Sequence, residues 1–153
     1  MTPRKIYIAS SWKNVDRVRM LAELLRSKGH QVFDFTDINN RPEGTESFVF
    51  HASEWMGKPL KKIDWIEFLK CDATARACKA DKSGLDWSDT LILLLPSGRS
   101  AHIEAGYAKA SGKTVLVYGD LPLGEFDAMY LLFDGWHKSI EIFDLLERLE
   151  API

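Results

Sequence analysis

Two carboxylates and a short polar loop carry the chemistry this chain offers. Glu104 follows Ser97-Gly98-Arg99-Ser100, and Asp81 and Asp89 stand upstream of the apolar run Leu91-Ile92-Leu93-Leu94-Leu95. Paired carboxylates suit reactions at a glycosidic carbon, where one group attacks or stabilises the electron-poor centre and another moves a proton. Glu104 comes one helical turn after Ser100, so their side chains share a face. Ser97, Arg99 and Ser100 at a helix start suit an anion, because free backbone N–H groups and the helix dipole favour negative charge there. Each feature also has a plain structural reading: Glu104 as a solvated surface charge, Ser97 as an N-cap oxygen, Arg99 as a surface cation.

These groups need elements to hold them. Five consecutive aliphatics at 91–95 read as a strand buried on both faces, as in the middle of a parallel sheet. Pro96 and Gly98 end it, and a helix is predicted over Arg99–Ser111. Upstream, Lys5–Ala9 reads as a strand with Ile6 and Ile8 on one face. A helix over Val15–Lys28 has the apolar stripe Val18, Leu21, Ala22 and Leu25. Gly29 closes it and Gln31–Phe35 is a second strand, so this unit is a right-handed parallel crossover. A helix is expected over Asp64–Lys82, with Gly84 interrupting the pattern and leaving its end open, then a strand over Thr114–Tyr118, a short strand over Met129–Phe133 and an amphipathic helix over Lys138–Leu149. The stretch 36–60 has loop chemistry at Asn39-Asn40-Arg41-Pro42-Glu43-Gly44, then Phe48, Phe50, Trp55 and Pro59 without a clean period. It reads equally as a functional loop or as a packed surface loop. Ligands of open α/β sheets bind at the carboxyl ends of the strands, which is where Ser97–Ser100 falls.

Composition sets outer limits. The 153 residues carry a formal net charge of −2, with 46% hydrophobic and 27% charged residues. A near-neutral balance speaks against nucleic acid or an anionic membrane as partner. No apolar run is long enough to span a bilayer. The start, Met1-Thr2-Pro3-Arg4-Lys5-Ile6-Tyr7, lacks the apolar stretch of a signal peptide, which predicts a cytoplasmic protein. Cys71 and Cys78, placed on one helix, would stand roughly 10 Å apart, too far for a disulfide, and read as reduced residues. Gly106 to Gly112-Lys113-Thr114 imitates a phosphate-binding loop but has five residues between its glycines and runs from helix into strand, so it is set aside. His102 lies about 200° around the helix from Glu104 and points elsewhere. His30, His51 and His137 show no metal-binding spacing.

Taken together, three segments resemble the nucleoside 2-deoxyribosyltransferase superfamily, which includes the related nucleoside 5′-monophosphate N-glycosidases. Lys5-Ile-Tyr-Ile-Ala-Ser-Ser-Trp-Lys-Asn14 is similar to that family's first strand and its base- and sugar-binding loop. Asp81, eight residues before Asp89 and the next strand, is similar to the family aspartate and the start of its following strand. Pro96-Ser-Gly-Arg-Ser-Ala-His-Ile-Glu104-Ala-Gly-Tyr107 is similar to the loop and helix bearing the family's nucleophilic glutamate. The resemblance covers most of residues 5–118. It implies a single domain over 1–153, an α/β three-layer sandwich with a small, mainly parallel, flavodoxin- or Rossmann-like sheet. It further implies Glu104 as nucleophile and Asp81 as the residue that bonds the base or relays a proton to it. Tyr7, Ser10, Trp12, Asn14, Asp89 and the Ser97, Gly98, Arg99, Ser100 loop would bind a nucleoside or nucleotide, with neither metal nor cofactor. A homodimer or higher homo-oligomer is expected from the family and from exposed-looking aromatics such as Trp136 and Tyr130. The family's transferases add a polar residue from a neighbouring subunit about two dozen positions after the glutamate, and Glu125-Phe-Asp-Ala-Met129 has no matching Asn. The alternative is a catalytically silent nucleotide-binding or signalling module on the same fold.

Overall fold

The computed structural model describes residues 2–48 and 60–152. Phe50, His51, Trp55 and Pro59 of the aromatic connection therefore lie outside the described residues. Five parallel strands form one open sheet in the order β2-β1-β3-β4-β5: β1 Lys5–Ala9, β2 Gln31–Asp34, β3 Thr90–Leu95, β4 Thr114–Gly119 and β5 Gly135–His137. Helices cover both faces, making the three-layer α/β sandwich that the sequence predicts: α1 Val15–Ser27, α2 Trp65–Lys70, α3 Asp72–Trp87, α4 Arg99–Ala110 and α5 Ile142–Glu150.

Strand alternation sorts the core into two halves. Ile6, Ile8, Val32, Ile92, Leu94 and Leu116 face α1 and α5, meeting Val18, Leu21, Ala22, Leu25, Leu145 and Leu149. Tyr7, Ala9, Phe33, Leu91, Leu93 and Leu95 face the other way, toward Leu85 of α3 and the small residues Ala101, Ala105 and Ala108 of α4. All six residues of β3 are buried, as an apolar run in a central strand requires. Gly119 keeps a positive φ of 130°, and a Cβ built there would stand 2.5 Å from the Leu95 carbonyl oxygen, so only glycine lets β4 end this close to β3.

A buried cation ties the amino ends of the strands to the close of α5. Arg4, 1% exposed, donates from Nε to the Leu149 carbonyl, from one terminal nitrogen to Thr90 Oγ1 and from the other to the Ala151 carbonyl. These bonds satisfy carbonyls that the helix end leaves without intrahelical partners.

Several expectations change. The helix expected over Asp64–Lys82 is two helices, α2 and α3, broken at Cys71, which adopts an extended backbone. Gly84 does not end α3: it is buried inside it, and a Cβ there would lie 2.5 Å from the Phe33 ring, so glycine lets helix and strand close together. Residues Ala128–Leu132 form a 3-10 turn rather than a strand, and the edge strand is Gly135–His137. The closing helix begins at Ile142, after a 3-10 turn over Ser139–Glu141. Both cysteines are free. Trp136 is exposed, whereas Tyr130 is partly buried and bonded to His102. Among the described residues, no helix is long and apolar enough to cross a membrane, and no group of His, Cys, Asp and Glu is arranged to hold a metal ion.

Candidate active site between strand 1 and the helix after strand 3

The strand order 2-1-3 reverses the winding direction between β1 and β3, and the crevice beside such a reversal is where doubly wound sheets bind ligands. The loops after β1 and β3 meet there. Ser10 Oγ donates to the Leu94 carbonyl at 2.9 Å, and Asn14 Nδ2 donates to Ser10 Oγ and to the Pro96 carbonyl. Arg17 reaches from α1 to the Leu95 carbonyl at 2.9 Å. Ser10 and Asn14, both expected at the substrate, thus lock the two loops to each other. Trp12 is half exposed and sets its edge against Phe35.

Along the face that carries α3 and α4, Tyr7 and Glu104 come together. Tyr7 is wholly buried, and its hydroxyl donates to Glu104 Oε2. Phe33, its neighbour in the sheet register, stacks on it with ring centres 5.0 Å apart. Asp81 enters from α3. Burial, then the charge of Asp81, pushes the Glu104 carboxyl up to about 8, with the Tyr7 hydrogen bond pulling the other way. Burial likewise lifts Asp81 to about 6, opposed by the Arg41 guanidinium. Tyr7 is pushed well above its ordinary range by burial and by the two carboxylates, so it stays a hydrogen-bond donor. Two carboxyls raised into the neutral range, drawn from separate helices into one partly enclosed spot, fit acid–base or nucleophilic work.

Arg41 is the participant that motif reading missed. Its loop follows β2, and its guanidinium lies 4.2 Å over the Phe33 ring. It donates to the Phe35 and Glu46 carbonyls, both at 3.1 Å, while its Nε is buried without a partner. The one available signal is a lone arginine within the loop Asn39–Gly44 that follows a predicted strand.

The loop after β3 departs from expectation in one respect. Ser97 does not cap α4: Gly98 occupies that position without a side-chain bond, and Ser97 Oγ is buried and unpartnered. Gly98 has open space around its Cα, and Arg99 and Ser100 stand exposed on the first turn. Asp89 lies elsewhere. It accepts from the Lys5 N–H at 3.0 Å and from Thr90 Oγ1 at 2.7 Å, which places it at the amino ends of β1 and β3, opposite the crevice. Its role there is to hold two strand starts together. His102 points away from Glu104 as expected, bonding the Gly98 carbonyl and the Tyr130 hydroxyl. It borders a separate cavity of about 780 Å³ on that flank of α4, lined also by Ser97, Lys109, Phe126 and Phe133 but not by Glu104 or Asp81.

No protein-family model matches the chain, and no curated protein matches it.

Proposed function

We propose that this protein cleaves or transfers at the N-glycosidic bond of a nucleoside or nucleotide through a covalent intermediate on Glu104. The observation that carries this reading is the Tyr7–Glu104 hydrogen bond beside Asp81, next to the crevice between β1 and β3. Glu104, once ionised, attacks the anomeric carbon; the bond to the base breaks, its electron pair stays on the base nitrogen, and Asp81 delivers a proton there. Water or a second base then attacks the same carbon and frees Glu104, with Asp81 taking up the proton. The open first turn of α4, from Gly98 to Ser100, suits a sugar hydroxyl or a phosphate.

The test is incubation with a panel of nucleosides, 5′-monophosphates and NAD, followed by chromatography for free base and mass spectrometry of quenched protein. Base release and a glycosylated Glu104 are expected, both absent in Glu104→Ala. No release from any member, with Glu104→Ala indistinguishable from wild type, overturns the reading.

One observation favours a silent nucleotide-binding module instead. A Glu104 that holds its proton near neutrality and bonds Tyr7 is a satisfied buried group that needs no reactant. Ligand-dependent thermal stabilisation without base release would select that reading.

We further propose self-association. Leu123, Phe126, Leu131, Ile140 and Phe143 are each more than three-quarters exposed within one stretch of chain, apolar side chains that a second copy could cover. Light scattering at micromolar concentration should give a multiple of the 17.4 kDa chain mass, and a monomer mass would contradict it.

A further inference from the structure

A further cavity lies across the sheet from Glu104. Strand alternation turns Leu94 and Tyr118 toward α1 and α5, whereas Tyr7, which bonds Glu104, belongs to the face covered by α3 and α4. Near the carboxyl ends of β3 and β4 these two residues help line a cavity of about 660 Å³, within the range that small organic ligands occupy. Met20, Leu21 and Leu24 of α1 and Ile142 at the start of α5 supply its apolar walls. Met20 is 69% exposed and marks the open side.

The polar groups of this cavity stand at the strand ends. The Tyr118 hydroxyl donates to the Ser139 carbonyl at 3.2 Å, and the Ser139 N–H donates to Asp120 Oδ1 at 3.3 Å, so these groups are already engaged with one another. Arg17 is only partly engaged. Its Nη1 donates to the Leu95 carbonyl at 2.9 Å, and among the described residues neither Nε nor Nη2 has a hydrogen-bond or ion-pair partner. The edge formed by those two N–H groups is the fork that matches the two oxygens of a carboxylate. Asp120 disfavours a dianion such as a phosphate monoester, because hydrogen bonding from Ser139 holds its carboxyl below the usual range and keeps it negative in the same cavity.

We propose that this cavity is a second binding site, one that takes a small apolar monocarboxylate. The acid head sits on the free edge of Arg17, and the apolar body lies along Leu24, Leu94 and Ile142. This site does not depend on the glycosidic reading above.

The probe is 4-phenylbutyrate, titrated into the full chain labelled with ¹³C at its Ile, Leu and Met methyl groups and followed by NMR. The alcohol 4-phenylbutan-1-ol serves as its uncharged counterpart. Saturable shifts are expected at Met20, Leu24, Leu94 and Ile142, with the alcohol bound about tenfold more weakly. Arg17→Met should weaken the acid about tenfold and leave the alcohol unchanged, the loss that one charge-assisted pair gives. Asp120→Asn, at an exposed position and still able to accept from Ser139, should bind the acid about two- to threefold more tightly. Equal affinity for acid and alcohol, an Arg17→Met protein that binds the acid like wild type, or an unmoved affinity in Asp120→Asn overturns the proposal. So does a lack of saturation by about 10 mM. If the same methyls shift with protein concentration and not with the probe, a second copy of the chain covers the cavity and the proposal fails.

Discussion

Tyr7 and Glu104 are 97 positions apart in the chain, and the hydroxyl of one donates to the carboxyl of the other within the buried face of the sheet. β1 supplies a rigid platform, because Tyr7 sits between β2 and β3 in register with Phe33 and Leu91. α4 supplies the carboxyl, because Ala101, Ala105 and Ala108 are small enough to seat that helix close on the strands. The donor cannot be lost by ionisation in the working range, since its environment holds it well above its ordinary value.

Tyr7→Phe removes the donor and keeps the ring. Without it, Glu104 should ionise only above about 8, because the hydrogen bond was the influence lowering it. Wild-type kcat/KM should rise through about 6, as the pair comes down to the one proton that Asp81 must deliver, and fall above about 8, as that proton is lost. In Tyr7→Phe the alkaline fall should shift to higher pH, with kcat down roughly 100-fold and stability down by about 1–2 kcal/mol. Steady-state kinetics from pH 5 to about 9.5, with denaturant melts, would check all three; an unmoved limb would refute the assigned contact.

The same carboxyl should make folding stability depend on pH. Glu104 titrates near 8 in the folded chain against an ordinary 4.5, so the unfolded chain surrenders its proton first. Its contribution is therefore whole below 4.5 and disappears as pH rises to about 8, at up to about 1.4 kcal/mol per unit. Asp81 adds a smaller fall between 3.8 and about 6. Glu104→Gln should flatten the curve between pH 6 and 8 and be the more stable protein at pH 8. Urea unfolding at closely spaced pH values measures this directly.

Gly84→Ala replaces a poor helix former by the best one, yet it should destabilise. The added methyl would stand 2.5–2.7 Å from ring atoms of Phe33, so ring or helix must shift. Overpacking of this kind costs about 1–3 kcal/mol, more than the ~1 kcal/mol gain in helix propensity. Because Phe33 stacks on Tyr7, base release should fall as well. A Tm at or above wild type would show that α3 yields freely.

Arg4→Met should be among the most damaging changes outside the site. It abandons two carbonyls near the end of α5 and the Thr90 hydroxyl at the amino edge of the sheet. A loss of about 2–4 kcal/mol is expected. Thermal melts of Arg4→Met and Arg4→Lys, the latter keeping charge without the fork, would separate hydrogen bonding from electrostatics.

How far the fold could be read from sequence followed the strength of local periodicity. The β3 aliphatic run and the α1 stripe carry their pattern within a few residues, and both stand within a residue of the expected bounds. β5 has three residues, Gly135, Trp136 and His137, too few to show alternation, and it exists because β4 offers it a partner. Cys71 breaks a helical pattern without any Pro or Gly, so nothing local marks the break. Gly84 carried the opposite signal from its role, because a glycine selected for close packing looks the same as one that ends a helix. In the site, Glu104, Asp81 and Tyr7 could be singled out and do converge. Asp89 has the right chemistry at the wrong end of its strand, and Arg41 acts through space from a loop with no motif.

A carboxyl that keeps its proton in an empty site makes ligand binding a redistribution of charge inside the site. Between pH 6 and 8 a ligand that requires Glu104 charged sends its proton to Asp81, which must hold one to deliver, and the solvent gains nothing. The heat of binding should then be the same in buffers that differ in their own enthalpy of ionisation, at unchanged pH. A ligand that needs both carboxyls charged must expel that proton, and its heat should vary from buffer to buffer. Calorimetry in paired buffers thereby tells ligands that keep the shared proton from those that lose it, before any turnover is sought.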